Sequence, residues 1–400
     1  MDSLIEKFRR KILNISTNFV RSAMGTIHWD ARLIGIKGAR GVGKTTLLLQ
    51  HIKLTYHDQL DQIMYVSLDD LWFSEHSLID LVDRFVKIGG KRIYLDEVHK
   101  YEDWQLAVKN IYDFNPDLKL VVSGSSILAL QKSVADLSRR LVYYELPELS
   151  LREFIALKNK LELPSYSIAD ILSGHVEITN ELTAKVPLPL AELSKYLQFG
   201  AYPFFMEGEQ DYFQKITQLI NLIIDYDLPF GKDISVATQS KLKKLLYILS
   251  TSVPFTPNIS KLAEKTETTR LQLLEFLHLL EASRLVRNLR SSTVGVSLMN
   301  KPDKIYLHNT SLIHALAEST AEKGNLRETF TLSQLQNTGL KITFPKNGDF
   351  LIDGKFLIEV GGKLKNKKQI HAEENSSIIS DDLVYGYGNK VPMYLLGFLY

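Results

Sequence analysis

The run Gly38-Ala39-Arg40-Gly41-Val42-Gly43-Lys44-Thr45 limits what this chain can fold into more than any other feature. It is a full GxxxxGK[ST] match, set between an apolar run, Leu33 to Lys37, and the amphipathic segment TLLLQHIK. A strand that turns through glycines into a helix aims successive backbone N–H groups and the helix N-terminus at one point, which suits a phosphate. The spacing therefore predicts a phosphate-binding loop, with Lys44 bridging the β and γ phosphates of ATP and the Thr45 hydroxyl holding Mg²⁺. Gly38, Ala39, Arg40, Gly41, Val42, Gly43, Lys44, Thr45 and Thr46 are the candidate nucleotide-binding residues.

A second apolar run, Ile93-Tyr94-Leu95, ends in Asp96-Glu97, with Asp96 standing 52 positions after Lys44. Asp96 is the candidate partner of Thr45 in the metal shell. Glu97 beside it is suited to orienting and polarising an attacking water, so hydrolysis is the expected chemistry. Ser123-Gly124-Ser125-Ser126 follows another strand, at the edge where ligands sit in open parallel sheets. Ser123 or Ser125 is thus a candidate sensor of the γ phosphate or holder of the water, with ordinary loop chemistry as the alternative. Arg139 and Arg140 are candidate arginine fingers, Arg140 joining Glu97, Lys44, Ser123 and Ser125 in the catalytic set; a plain ion pair is the alternative. His99 has no partner at metal-ligand spacing and reads as a packing or switch residue.

Strand-like runs at Leu33 to Lys37, Gln62 to Ser67, Arg92 to Leu95, Lys119 to Val122 and Leu141 to Leu146 alternate with amphipathic segments, which predicts an α/β unit with a parallel sheet covered on both faces. From Ser150 to about Pro229 the pattern is helical, a connector or lid. Helices over 239–250, 260–265 and 270–282, then strands over 285–289 and 304–307, have the order of a winged helix-turn-helix. The remainder reads helix, hairpin and a closing strand near Met393 to Leu399. The expected domains are 1–149, 150–237, 238–310 and 311–400.

Charge sharpens one of these. The whole chain carries a net +2, whereas Thr238 to Lys301 holds ten Lys or Arg against four Glu. A local excess on a helix-turn-helix pattern makes double-stranded DNA a candidate partner, with Thr268, Thr269, Arg270 and Gln272 opening the recognition helix. The wide apolar arc of that helix, from Leu271 to Leu280, favours instead a packing module that docks a protein partner. Cysteine is absent, which excludes disulfide frameworks, thiolate metal sites and cysteine nucleophiles. No uncharged apolar stretch approaches the roughly 18 residues of a membrane span, and the N-terminal segment lacks a signal-peptide pattern, so a cytoplasmic protein is expected.

RLIGIKGARGVGKTTLLLQ, YLDEVHKYEDW, VVSGSS, DLSRR, LSLREF, YLQFGAYPFF, GNLRETF, IEVGGK and LLGFLY together resemble the prokaryotic AAA-type ATPases of the archaeal-ATPase-like branch, which carry a C-terminal domain of unknown function. The resemblance spans almost the whole chain in the family's order. It implies an ATP-binding P-loop NTPase core, a helical lid, a winged helix and a C-terminal α/β domain with a nuclease-like fold. Glu328, Asp349 and Glu359 are similar to the acidic set of the restriction-endonuclease-like fold, which holds a divalent metal. A two-residue turn at Asp353-Gly354 would pair Asp349 with Ile358 and send Glu359 to the other face. A three-residue turn including Ile352 would pair Asp349 with Leu357 and put Glu359 on the same face. The nuclease pattern wants Lys two residues after the Glu, where this chain has Gly361; Lys363 is the nearest substitute, and loss of nuclease activity is expected. Lys365, Lys367, Lys368 and Gln369 read as a solvated basic run or, alternatively, a phosphate site.

The expected function is a Mg²⁺-dependent ATP hydrolase that acts as a molecular switch for the attached winged-helix and nuclease-like domains. The alternatives are a DNA-binding protein regulated by ATP, and a non-hydrolysing, nucleotide-loaded adaptor for a protein partner. A homo-oligomer is the assembly in which an arginine would act in trans.

Overall fold

The computed structural model describes residues 1–124, 137, 139–231, 234–251, 257–291, 301–317, 321–362 and 375–400. They fall into two compact units, Met1–Pro147 and Glu148–Tyr400. Ser125, Lys363, Lys365, Lys367, Lys368 and Gln369 lie outside the described residues.

The first unit is built on five parallel strands, β1 (Leu33–Lys37), β2 (Ile63–Ser67), β3 (Arg92–Asp96), β4 (Lys119–Gly124) and β5 (Val142–Glu145), in the order β2-β3-β4-β1-β5. β1, β3 and β4 are buried on both faces, which is why they read as unbroken apolar runs. The edge strand β2 is covered by helix α1 (Asp2–Asn14), whose Leu4, Phe8 and Ile12 recur every four residues and face inward. Helix α2 (Lys44–Thr55) follows the phosphate-loop sequence directly. Helix α3 (Leu78–Lys87) begins on Ser77, whose hydroxyl accepts the N–H groups of Ile79 and Asp80. Helix α4 (Trp104–Phe114) completes the set. Because the strands are parallel, the carboxyl ends of β1, β3 and β4 share one edge of the sheet.

The second unit opens with helices α5 (Leu151–Asn159), α6 (Ile168–Lys185), α7 (Pro189–Phe199) and α8 (Tyr212–Leu222). Ser150 with Glu153, and Ser167 with Asp170, form capping boxes that start α5 and α6. Helices α9 (Val236–Ser250), α10 (Ile259–Lys265) and α11 (Arg270–Ala282) precede an antiparallel ribbon of β6 (Val286–Leu289) and β7 (Lys304–Leu307). Helices α12 (Thr310–Ala317) and α13 (Lys323–Gln336) lead into β8 (Ile342–Thr343), β9 (Phe350–Ile352), β10 (Phe356–Gly361), β11 (Ser376–Ser380) and β12 (Lys390–Pro392). These form a mixed sheet in the order β12-β11-β10-β9-β8.

Two details differ from expectation. The closing segment is not a strand: Met393–Phe398 is a fully buried 3-10 helix. A short apolar run cannot distinguish the two by pattern, and here close packing decides, since a Cβ on Gly397 would stand 2.3 Å from Leu151 Cβ. The β9–β10 turn follows neither expected register. Asp353, Gly354 and Lys355 form the turn, Ile352 opposes Phe356, and the Lys355 N–H donates to Ile352 O at 2.9 Å. Asp353 is pinned from outside the hairpin, donating its N–H to Lys341 O at 2.8 Å and accepting the Lys341 N–H on Oδ1 at 2.9 Å.

Candidate active site

The chain leaves β1 and turns through residues 38–43 so tightly that a Cβ on Gly38 would lie 2.3 Å from Leu146 O. Gly43, with φ 96°, occupies the left-handed region at the start of α2, where a side chain would be strained. Arg21 braces the loop from behind: its Nη1 donates to Val42 O at 2.8 Å and its Nη2 to Pro147 O at 2.7 Å. Lys44 is 5% exposed, and its Nζ donates to Gly38 O at 3.0 Å and Ala39 O at 2.9 Å. The ammonium is thus held inside the loop curve by the same carbonyls that shape it.

Asp96, 1% exposed at the end of β3, is the centre of a ring of donors. Its Oδ2 accepts the Thr45 hydroxyl at 2.6 Å and the Tyr65 hydroxyl at 2.7 Å. Its Oδ1 accepts the Ser123 hydroxyl and, at 3.1 Å, the Glu97 N–H. Glu97 itself has φ 51°, an uncommon backbone state for a residue with a side chain, and its carboxylate is one-fifth exposed. His99, wholly buried, brings Nε2 within 3.5 Å of Glu97 Oε2. A carboxylate with two oxygens held by four donors has a fixed orientation, and the neighbouring Glu97 keeps access to solvent.

Thr45, Asp96, Glu97 and Ser123 therefore converge, with Lys44 in the adjoining loop. Arg140 makes a bidentate pair with Asp113 of α4, Nε–Oδ1 3.0 Å and Nη2–Oδ2 3.1 Å, while Arg139 is exposed. Trp104 is buried in the core and Tyr101 accepts the Leu78 N–H at 3.2 Å, so these aromatics pack. Tyr65 and Arg21 hydrogen-bond to the candidate site although no motif in the sequence marks them. Tyr65 stands two residues before Ser67, which lies opposite Asp96 in the β2–β3 register, so that register is the signal that finds it. Burial first, then the charge of Asp96, push the Tyr65 phenol well above its ordinary range, so it stays a donor.

The second unit contains a different carboxylate cluster. Lys304 Nζ lies 2.9 Å from Glu328 Oε2 and 3.1 Å from Asp349 Oδ1, and the Tyr306 hydroxyl donates to Glu328 at 2.8 Å. Burial alone would lower the Lys304 pKa, yet the two carboxylates outweigh it and raise it. Burial and then the charge of Asp349 raise that of Glu328. Asp349 Oδ2 also accepts the Val360 N–H at 2.9 Å. Among the described residues no three His, Asp or Glu side chains form a metal-type group. Several cations of 238–301 have internal partners: Lys243 with Asp225, Lys244 with Glu267, Arg290 with Glu281, and buried Arg287 with Glu148. Lys261, Lys265 and Arg270 are exposed.

Residues 30–155 match the family model described as AAA domain. The matched segment contains Gly38 to Thr46, Asp96, Glu97 and Ser123 and the five-stranded parallel sheet that carries them. Residues 190–323 match a second model, a domain of unknown function (DUF8612). Uncharacterized protein MJ1637 of Methanocaldococcus jannaschii is 28% identical over 404 residues, spanning 92% of this chain and 84% of that protein. Among solved structures, the Walker-type ATPase PABY2304 of Pyrococcus abyssi aligns at 11% identity over 75% of this chain and 96% of that one, TM-score 0.41. The Aeropyrum pernix ORC1 protein, solved in complex with DNA, aligns at 14% identity over 78% and 92%, TM-score 0.30. No helix among the described residues is long and apolar enough to cross a membrane.

Proposed function

We propose that this chain is a Mg²⁺-dependent ATP hydrolase whose AAA domain acts as a switch for residues 148–400. The observation that carries the reading is the convergence of the Thr45 and Ser123 hydroxyls on Asp96 with Glu97 beside it. The donor set suits MgATP: a loop with no side chain at Gly38, a buried ammonium, and a hydroxyl–carboxylate pair of hard oxygen ligands. Thr45 and Asp96 would hold Mg²⁺, which would supply positive charge to offset that of the phosphates.

Lys44 exchanges its loop carbonyls for β and γ phosphate oxygens. Glu97 accepts a proton from water as the water oxygen bonds to the γ phosphorus and the bond to the β-bridging oxygen breaks, giving ADP and inorganic phosphate. His99 holds the Glu97 carboxylate in orientation. Ser123 keeps Asp96 from rotating and is the candidate γ-phosphate sensor. Arg140 acts on transition-state charge only after leaving Asp113.

In this reading residues 150–237 are a helical lid, 238–310 a winged helix and 311–400 a restriction-endonuclease-like domain, and loss of the γ phosphate is the signal they receive. Nuclease chemistry is absent from the proposal because Lys304 bridges Glu328 and Asp349. The test is phosphate release from MgATP by wild type and Glu97→Gln, with Lys44→Ala as the binding control, repeated with double-stranded DNA. Turnover lost in Glu97→Gln while nucleotide still binds supports the hydrolase. Binding without turnover in wild type rejects it in favour of a nucleotide-loaded adaptor. Stimulation by DNA that collapses with salt assigns the exposed cations Lys261, Lys265 and Arg270 a DNA contact.

A further inference from the structure

The hydroxyls of Thr45 and Ser123 on Asp96 come from elements that the phosphate-loop sequence and its neighbouring strands predict. The third hydroxyl, that of Tyr65, comes from the edge strand β2 and has no counterpart in that pattern. Strands β2 and β3 are parallel with Tyr65 opposite Tyr94 and Ser67 opposite Asp96, so the phenol crosses diagonally to the neighbouring strand. It reaches the same oxygen, Oδ2, that accepts Thr45. Behind it stands Lys11 of α1, with Nζ 3.4 Å from the phenol oxygen and 4.8 Å from the ring centroid. A cation donating to a hydroxyl polarises its O–H and strengthens the bond that hydroxyl donates onward. Tyr65 also borders a cavity of about 510 Å³, which Lys11, Thr45 and Leu49 help to line. Its ring is therefore not merely filling a closed core.

We propose that Tyr65 is a positioning residue for the metal site: its hydroxyl, backed by Lys11, holds Asp96 Oδ2 in the orientation shared with Thr45, and so sets the affinity for the divalent ion that accompanies the nucleotide. The inference rests on the reading of residues 38–46 and Asp96 as a MgATP site. Hydrogen bonds to a charged group contribute more than neutral ones, and a carboxylate freed on one side rotates away from its shared ligand geometry. Removing the phenol oxygen leaves Thr45, Lys44 and the loop untouched, so the effect falls on metal and not on bare nucleotide.

The experiment is calorimetric ADP binding to the full chain, in EDTA and across a Mg²⁺ titration, for wild type, Tyr65→Phe and Lys11→Met. In Tyr65→Phe the half-saturating Mg²⁺ concentration rises about tenfold, as loss of a charge-assisted hydrogen bond implies, with ADP affinity in EDTA unchanged. Lys11→Met moves it the same way by about twofold, the size expected of a polarising neighbour. Wild type whose ADP binding ignores Mg²⁺ rejects the underlying MgATP reading. Wild type that responds to Mg²⁺, with Tyr65→Phe matching it within error, overturns only the role of Tyr65 and leaves an ordinary buried hydrogen bond. Should Tyr65→Phe not fold, an unchanged Mg²⁺ response in Lys11→Met counts against the proposal.

Discussion

Asp96 in the first unit is a buried carboxylate and the Glu328–Asp349 pair in the second a half-buried one, and their charges are met in opposite ways. Hydroxyls and a backbone N–H surround Asp96, so its charge is solvated by dipoles and stays available to a cation. Glu328 and Asp349 share the ammonium of Lys304, so their cation is already part of the chain. Carboxylates alone therefore do not mark a metal site. The partners decide, because dipoles orient a charge without cancelling it, whereas the shared ammonium offsets one of the two carboxylate charges.

The largest expected effect separates the two sites by chemistry. Glu97→Gln lowers phosphate release by about 100- to 1000-fold, the usual contribution of a general base, while Lys304→Met leaves turnover within about twofold, since it removes no catalytic group. A comparable loss in both variants would break the distinction. Next comes stability. Lys304→Met strands two half-buried carboxylates and lowers the unfolding free energy of residues 148–400 by about 2 kcal/mol, below the range for breaking a fully buried pair, read by urea denaturation. Mg²⁺ restores part of that loss in Lys304→Met and adds nothing in wild type without nucleotide. Equal responses would mean the ammonium does not occupy the cation position.

A smaller effect concerns alkaline pH. The Lys304 pKa is raised above 10.5 when folded, so the ammonium's contribution is fully present below the unfolded value and is lost as pH rises through the folded one. Glu328 and Asp349 face it, and Tyr306 donates to Glu328. The stability difference between wild type and Lys304→Met should therefore hold steady up to about pH 10 and shrink above it; a difference already shrinking by about pH 8 would contradict this. The smallest effect is that of Arg140→Ala. Its partly exposed pair with Asp113 contributes less than about 1 kcal/mol to stability, and phosphate release stays within about threefold if the guanidinium remains paired. A larger drop in turnover would show that an arginine already holding a carboxylate is released to act on phosphate.

Features encoded in contiguous residues are legible in the amino-acid sequence itself. Gly38 to Thr45 shapes its own loop, Ile93 to Glu97 carries its carboxylates on its own strand, and the central strands announce themselves by burial on both faces. What escapes depends on pairing between distant segments. Tyr65 gains its role from the β2–β3 register, Arg21 from the approach of Val42 and Pro147, and Lys304 from Glu328 and Asp349. The hairpin turn departs from its expected register for the same reason, because Lys341 pins Asp353 from outside it. Met393–Phe398 reads as a strand and folds as a helix because an apolar run announces burial without announcing its backbone.

Lys304 opens β7, Glu328 belongs to α13 and Asp349 precedes β9, so one ammonium ties a ribbon, a helix and a sheet. A soluble ion can be stripped by a chelator; a tethered one leaves only when its strand leaves. Detaching the ribbon would leave both carboxylates without their ammonium, whereas fraying the sheet would remove Asp349 and leave Glu328 on the lysine, so the first event is the costlier one. The ribbon, helix and sheet are thereby linked through one ammonium, and the ribbon is the element whose departure exposes the most charge.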